Sequence, residues 1–401
     1  VLGDRLPVTT GDGRTVEHAN LDYAATAPCL AAAATAVNEL LPWYASVHRG
    51  AGAASQRCTL AYEQARQTVA DFIGARADDH VIFTRNTTDA LNLLARCLPA
   101  GTTVVGWAGE HHANLLPWPY AVRLPVPDSP AVAVDALAGA LGRLDGPVLV
   151  TVTGASNVTG EVWPIAALAE LAHRFGARIA VDAAQLAPHR PVSLDEWGVD
   201  YLALSGHKLY APFGAGVLAG RADWLDAATP YLAGGGATAH VGDAAHEVDW
   251  QVGPARHEAG TPNLLGAVAL AAACADIAAA DREALAAHEN RLLARLRSGL
   301  ARLPHVAELR TFAADHDRVG IVSFAVAGVA AADVSTHLAR RHGIGVRDGL
   351  FCAHPLTRRL LAEASARLGR PLTGGAVRAS IGIGTTTEHV DRLLTGLRDL
   401  A

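Results

Sequence analysis

The chain contains no methionine, and only 5 of its 401 residues are cysteine. Those five sit at 29, 58, 97, 274 and 352, never as Cys-x-x-Cys pairs. That scatter excludes a disulfide framework and offers no cysteine-based zinc site. Basic runs are missing too, and the formal charge is −6, which argues against a dedicated nucleic-acid surface. No apolar stretch is long and uncharged enough to span a bilayer, because Gly, Pro or charge interrupts each one. The opening Val1-Leu-Gly-Asp-Arg5 lacks the apolar segment of a secretory signal. The expectation is a cytoplasmic protein with no membrane and no nucleic-acid partner. No physical account of the missing methionines follows from the sequence.

What is present is apolar: half the residues are hydrophobic and 18% are charged. A chain of this length has room for two domains. Apolar strand candidates alternate with helical patterns, which reads as α/β with a mainly parallel sheet. The expected strands are 81–84, 102–107, 147–152, 178–182 and 201–204, with helices at 89–98 and 166–175. Right-handed crossovers bring the C-terminal ends of such strands to one edge, where ligands bind. After Asn263 the texture changes. An Ala-rich helical stretch spans about 265–303, then strands at 319–326, 344–347 and 377–383 alternate with helices at 332–341 and 388–400. The expected division is a large domain over 22–264 and a smaller α+β domain from 1–21 and 265–401.

Lys208 carries the chemical argument. It follows the apolar run Asp200-Tyr-Leu-Ala-Leu-Ser205 in a Ser-Gly-His-Lys turn, with a Gly-rich apolar run behind it. A lysine held at the mouth of a core has a lowered pKa and readily joins a carbonyl carbon. The plain alternative is a surface lysine capping a hairpin. Context weighs against it, since Asp182 ends the apolar strand Arg178-Ile-Ala-Val-Asp182 one crossover upstream. A carboxylate and a lysine on neighbouring strand ends are what pyridoxal 5'-phosphate needs: one for the pyridinium nitrogen, one for the aldehyde.

Other residues fit around that pair. Thr87 and Thr88 fall at the first turn of a helix, a natural phosphate site, although ordinary capping explains them equally. Ser205 and His207 add donors to the same phosphate. In Glu110-His111-His112 a metal is disfavoured, because adjacent strand-end residues point apart. The sharper reading stacks His112 on a flat cofactor ring and leaves His111 as a structural hydrogen-bonding residue. Asn157 reaches a cofactor oxygen or a substrate carboxylate, or else makes an Asx turn before Gly160. Gln185, three beyond Asp182, reaches the same ring oxygen. Arg378 stands on an apolar strand and needs an anion, either a substrate carboxylate or an internal acid. Cys352, in a Gly-containing loop, is a candidate mobile thiolate, where the usual fate of a lone cysteine is burial.

Ordered segments along nearly the whole chain carry a family resemblance. They include Leu21-Asp22-Tyr23, His48-Arg49-Gly50, Thr87-Thr88-Asp89, Glu110-His111-His112-Ala-Asn114, Ser156-Asn157-Val-Thr-Gly160 and Asp182-Ala-Ala-Gln185. Ser205-Gly-His-Lys208, Gly260-Thr261-Pro262, Arg347, Cys352 and Arg378 follow. The chain resembles fold-type I pyridoxal-phosphate enzymes of the class V aminotransferase group, closest to cysteine desulfurases and selenocysteine lyases of the SufS type. The resemblance implies that Lys208 bonds the cofactor aldehyde, Asp182 holds the ring nitrogen and His112 stacks on the ring. Gln185 and Asn157 bracket the phenolic oxygen and substrate. Thr88, Ser205 and His207 bind phosphate, with Thr87 nearby. Thr261 reaches the phosphate in a partner subunit, implying a homodimer, and the His48 segment lies by the entrance as a substrate contact. Arg378 and Arg347 bind substrate, and Cys352 is the persulfide-forming cysteine, with a sulfur-acceptor protein downstream.

The departures surround the sulfur-handling step. The family's His-His before the cysteine is replaced by Leu350-Phe351, Asp348 follows Arg347, and 366–375 reads as an insertion. The leading expectation is therefore cleavage of the C–S or C–Se bond of cysteine or a related amino acid, giving alanine and an enzyme persulfide. A second keeps the cofactor for C–S β-lyase, aminotransferase or epimerase chemistry. A third, of another class, is a sulfur-relay or scaffold subunit.

Overall fold

The computed structural model describes residues 1–401 except Ala245, Thr373 and Ala401. Thr373 falls in the stretch expected to be an insertion and lies outside the described residues. A seven-stranded sheet forms the larger unit. Across the sheet the strands run Asp79–Thr84, Gly216–Arg221, Tyr201–Ser205, Arg178–Asp182, Val148–Thr153, Thr103–Trp107 and Ala121–Leu124. The last five are parallel, and Gly216–Arg221 is antiparallel to both its neighbours. Val148–Thr153 and Tyr201–Ser205 are buried at every residue. Helices cover both faces of such a sheet, which is why its strands read as unbroken apolar runs rather than alternating ones.

A second, four-stranded antiparallel sheet runs Val306–Glu308, Ile321–Val326, Ala376–Ser380, Arg347–Gly349. The N-terminal residues join this smaller unit: Ala19–Asn20 pairs in parallel with Ile344–Gly345, and Ala19 and Leu21 lie in its core. The strand expected over 344–347 is thus two short pieces with different partners. The Ala-rich stretch is also two helices, Leu264–Ala279 and Arg282–Ala301, bent by 89°. Asp281 caps the second through the Ala284 N–H at 2.9 Å. The first helix buries Leu270 and Cys274 with the large-sheet core, while Leu292, Leu296 and Leu300 of the second join the smaller core. The change of core therefore falls at this bend, some fifteen residues after the expected 264. Among the described residues no single helix is long and apolar enough to cross a membrane.

Candidate active site

The strand ends open on a cavity of about 380 Å3 lined from both units. Asp182 ends one strand and Lys208 follows its parallel neighbour, so the sheet register alone brings the two together. Burial pushes the Lys208 amine down to about 8, with Asp182 pulling the other way and Arg378 adding to the fall. Burial likewise raises Asp182, against the pull of Lys208. Ala184 donates its N–H to Asp182 Oδ1 at 3.0 Å, fixing the carboxylate. An amine in this range is a nucleophile near neutral pH. Burial, then Lys208, pushes His207 down to about 4, so its ring is neutral there.

The helix Thr87–Cys97 starts at the cavity, two residues before its expected start. Asn86 Oδ1 caps it by accepting the Asp89 N–H at 3.1 Å. The Thr87 N–H donates to Ser205 Oγ at 2.8 Å, and the two hydroxyls meet at 2.7 Å. Gly216 makes this approach possible, since a Cβ there would stand 2.5 Å from Asn86 Cα. First-turn amides lack helical partners and favour an anion. Asn86, Thr87, Thr88, Ser205 and His207 all line the cavity. The donors fit a phosphate group, and the Asp182–Lys208 pair fits a pyridine ring bearing an aldehyde.

Arg378 is 4% exposed. Its Nη1 donates to the Asn157 carbonyl at 3.0 Å and its Nη2 lies 3.3 Å from Asp22 Oδ1. So the internal acid exists, yet Nε has no hydrogen-bond partner among the described residues. A buried guanidinium with a free donor in a cavity wall suits a carboxylate. Gln185 is anchored by its amide nitrogen to the Ala24 carbonyl at 2.9 Å. Asn157 spends its amide nitrogen on the Phe351 carbonyl at 2.7 Å, leaving its oxygen as the free end. Arg347, though exposed, also lines the cavity.

Cys352 enters the cavity from the small unit and is the one exposed cysteine; Cys58, Cys97 and Cys274 are buried. Burial pushes the Cys97 thiol up to about 12 and raises Cys274 as well. Phe351 and Cys352 both adopt left-handed backbone, φ +51° and +52°. Such a pair of non-Gly residues is strained and persists only where the surroundings hold it. Here Asn157 grips the Phe351 carbonyl, the His112 N–H donates to the Cys352 carbonyl at 2.7 Å, and the Arg378 guanidinium stacks 5.2 Å from the Phe351 ring centre.

Three expected residues do not converge. His111, not His112, lines the cavity. His111 is the N-cap of the short helix His112–Leu115, and its Nδ1 accepts the Ala113 N–H, which holds the ring outside the helix. His112 is the first helical residue and turns its ring onto His354, centroids 4.5 Å apart. Burial, then Lys208, pushes His111 down to about 3. The capping position was a signal available in the sequence. Thr261 lies instead in a hollow with Tyr62, Phe83 and Tyr231. His48 lines another with Arg49 and Arg66, and pairs with Glu63 at 2.7 Å. Two features were passed over. Lys208 is the only lysine among 33 Lys and Arg residues. Glu110 is buried behind the site, pushed up to about 8 by burial, and holds Asn114 Nδ2 at 2.8 Å and the Thr153 N–H at 3.1 Å.

Residues 19–393 match the family Aminotransferase class-V. A probable cysteine desulfurase of Mycolicibacterium paratuberculosis is 35% identical over 369 residues, covering 89% of this chain and 51% of that protein. The chain thus spans about half the length of that relative. A cysteine desulfurase of Klebsiella pneumoniae is 35% identical over 368 residues, covering 88% of this chain and 86% of that one. Among solved structures, the cysteine desulfurase of Thermococcus onnurineus NA1 superposes with TM-score 0.83 at 32% identity, over 95% of this chain and 94% of that one. The cysteine desulfurase CsdA of Escherichia coli superposes with TM-score 0.81, also at 32% identity and with the same coverage.

Proposed function

The chain belongs to the aminotransferase class-V family, and we propose that it is a pyridoxal 5'-phosphate-dependent cysteine desulfurase. The observation that carries this reading is one cavity holding Lys208, Asp182 and Arg378 with the Cys352 thiol entering from the opposite unit. When bound, the cofactor supplies an aldehyde for an amine and a cationic ring that accepts the electron pair left at Cα.

The chain's own residues do the rest. Asp182 would face the ring nitrogen, and Ser205, Thr87, Thr88 and His207 would hold the phosphate. Arg378 Nε, with Arg347, takes the substrate carboxylate and so orients Cα toward Lys208. Lys208 Nζ takes the Cα proton and later returns one to the carbon skeleton. The Cys352 thiolate attacks the substrate sulfur: an S–S bond forms, the C–S bond breaks with its electron pair left on Cβ, and that carbon is protonated to give alanine. The persulfide on Cys352 then goes to a sulfur-acceptor protein.

Thr261 and His48 lie outside the cavity of their own chain, which supports a homodimer in which a second copy brings them near a site. Exposed Trp43, Tyr44, Leu60, Leu232 and Val252 supply apolar surface for such a contact. The proposed location is the cytoplasm, whose reducing conditions keep Cys352 a thiol.

A second reading, C–S β-lyase, aminotransferase or epimerase, is favoured by the buried Phe351 ring beside Arg378. Product analysis separates the two. Alanine with a persulfide sulfur on Cys352, released as sulfide once a thiol reductant is added, supports desulfuration. Pyruvate with ammonia, or exchange with a keto acid, overturns it.

A further inference from the structure

Outside the cavity, the helix Ala331–His342 ends at Gly343, and the C-terminal helix Thr387–Arg398 crosses it. Gly396 permits the crossing. A Cβ there would stand 2.7 Å from Leu338 Cδ2 and 2.9 Å from His342 Cδ2. This close approach brings Asp399 to the histidines of the facing helix. One ligand atom each from His337, His342 and Asp399 lies within 4.8 Å of the other two. The histidine rings stand 5.3 Å apart. Nε2 of both rings is buried and without a hydrogen bond among the described residues. Asp399 Oδ2 is 3.2 Å from His342 Nε2, an ion-pair distance. Unpaired buried nitrogens are costly, so two of them beside a carboxylate need a common partner.

We propose that His337, His342 and Asp399 form a site for one divalent transition cation of the zinc class, which staples the C-terminal helix to its neighbour. Imidazole donors favour zinc, cobalt or nickel over magnesium and calcium, which take oxygen. Two cations lie on the neighbouring backbone. Arg14 is paired with Asp12, and Arg392 points its Nη1 at the Glu17 and His342 carbonyls. They weaken the site without filling it. Ligands of a tetrahedral zinc stand about 3.4 Å apart; His342 Nε2 and Asp399 Oδ2 at 3.2 Å are already at that spacing, and since all three ligand atoms lie within 4.8 Å of one another, loading needs only a small inward shift of the remaining pairs. The fourth position goes to water on the side of Asp399, whose side chain is 52% exposed.

The test uses the untagged, cofactor-loaded protein after chelator dialysis, with cobalt(II) as the visible probe. The expected result is one cobalt per chain with the absorption bands of a four-coordinate nitrogen–oxygen site, displaced by zinc, and a melting temperature raised by zinc. His337→Gln and Asp399→Asn each weaken binding by about tenfold or more, with the cofactor absorbance unchanged as proof of folding. Cys352→Ser binds as wild type. Sub-stoichiometric uptake, equal binding by His337→Gln, or loss of binding in Cys352→Ser overturns the proposal.

Discussion

The two walls of the cavity are built on different principles. The wall from the large sheet places Asp182, Ser205 and Lys208 at the ends of buried parallel strands, where register fixes each side chain. The wall from the small unit is a loop whose key residues, Phe351 and Cys352, sit in left-handed backbone and are held by Asn157, His112 and Arg378. Strand ends give preorganisation; a strained, pinned loop gives a thiol that can be presented and exchanged. The large-sheet wall therefore carries cofactor chemistry shared by a family, and the loop decides what becomes of the substrate. The departures at Leu350 and Phe351 all fall in the second wall.

The sharpest way to break that division is at its rigid end. Lys208→Ala removes the only lysine of these 401 residues. The visible absorbance of the bound aldehyde and all turnover should vanish together. In the parent protein, borohydride reduction should fix the pyridoxyl mass on the Lys208 peptide. An unchanged absorbance in the variant would sink the assignment.

The loop comes next. Cys352→Ala should lower alanine formation from cysteine by orders of magnitude while the cofactor spectrum stays intact, because the thiol belongs to the other wall. Mass spectrometry after exposure to cysteine should show a sulfur adduct on Cys352. A rate only modestly changed would move the enzyme to the lyase reading. Selenocysteine is the wrong substrate here, since its leaving group departs without a thiol.

Arg378 bridges the walls, contacting Asn157 and Phe351. Arg378→Lys keeps the charge and loses the fork. The expected effect is a rise in KM for cysteine of about 10- to 100-fold, ~1.4–2.8 kcal/mol, with kcat less affected. An unchanged KM would leave Arg378 only its pairing with Asp22.

The same contrast explains what the sequence could be made to say. Strand ends are legible because an apolar run stopping at Asp182 or Ser205 states both the element and the direction of its terminal residue. Thr87, Thr88 and Gln185 followed from those ends, and the expected strands and helices differ from the observed ones mostly at their termini. Positions that depend on distant packing were not legible. Locally, only the Asp281 cap marks the first break and nothing marks the split of 344–347, since each depends on which core the next segment joins. Thr261 and His48 carry a meaning that one chain does not contain. Two signals were legible and passed over: the solitary lysine, and the N-cap geometry that separates His111 from His112.

A smaller effect sharpens the electrostatics of the rigid wall. The folded pKa of Lys208, about 8, lies below its ordinary 10.5 because burial disfavours the charged form. In the apoprotein the neutral amine therefore grows from about a tenth of chains at pH 7 to about nine tenths at pH 9. Cofactor capture in stopped flow should quicken by about that ninefold ratio and then level off. The unfolded chain binds the extra proton between these two pKa values, so stability of the apoprotein should rise with pH over that window. A capture rate flat from pH 7 to 9 contradicts a buried amine.

The smallest effect decides between two adjacent histidines. His111 lines the cavity, and its ring, held neutral by burial, is placed to lie against a flat cofactor. His112 packs on His354 and serves the loop through its backbone N–H, which alanine keeps. Losing one aromatic contact costs about 0.5–1.5 kcal/mol, or roughly 2- to 12-fold. His111→Ala should therefore weaken cofactor retention by about that factor and shift the visible band. His112→Ala should leave both within error and at most disturb Cys352 presentation. Measuring the band and the cofactor dissociation constant in the two variants is enough. If His112→Ala shifts the band and His111→Ala does not, the ring on the cofactor belongs to the helix and not to its cap, and the large-sheet wall is less fixed by register than its strands imply.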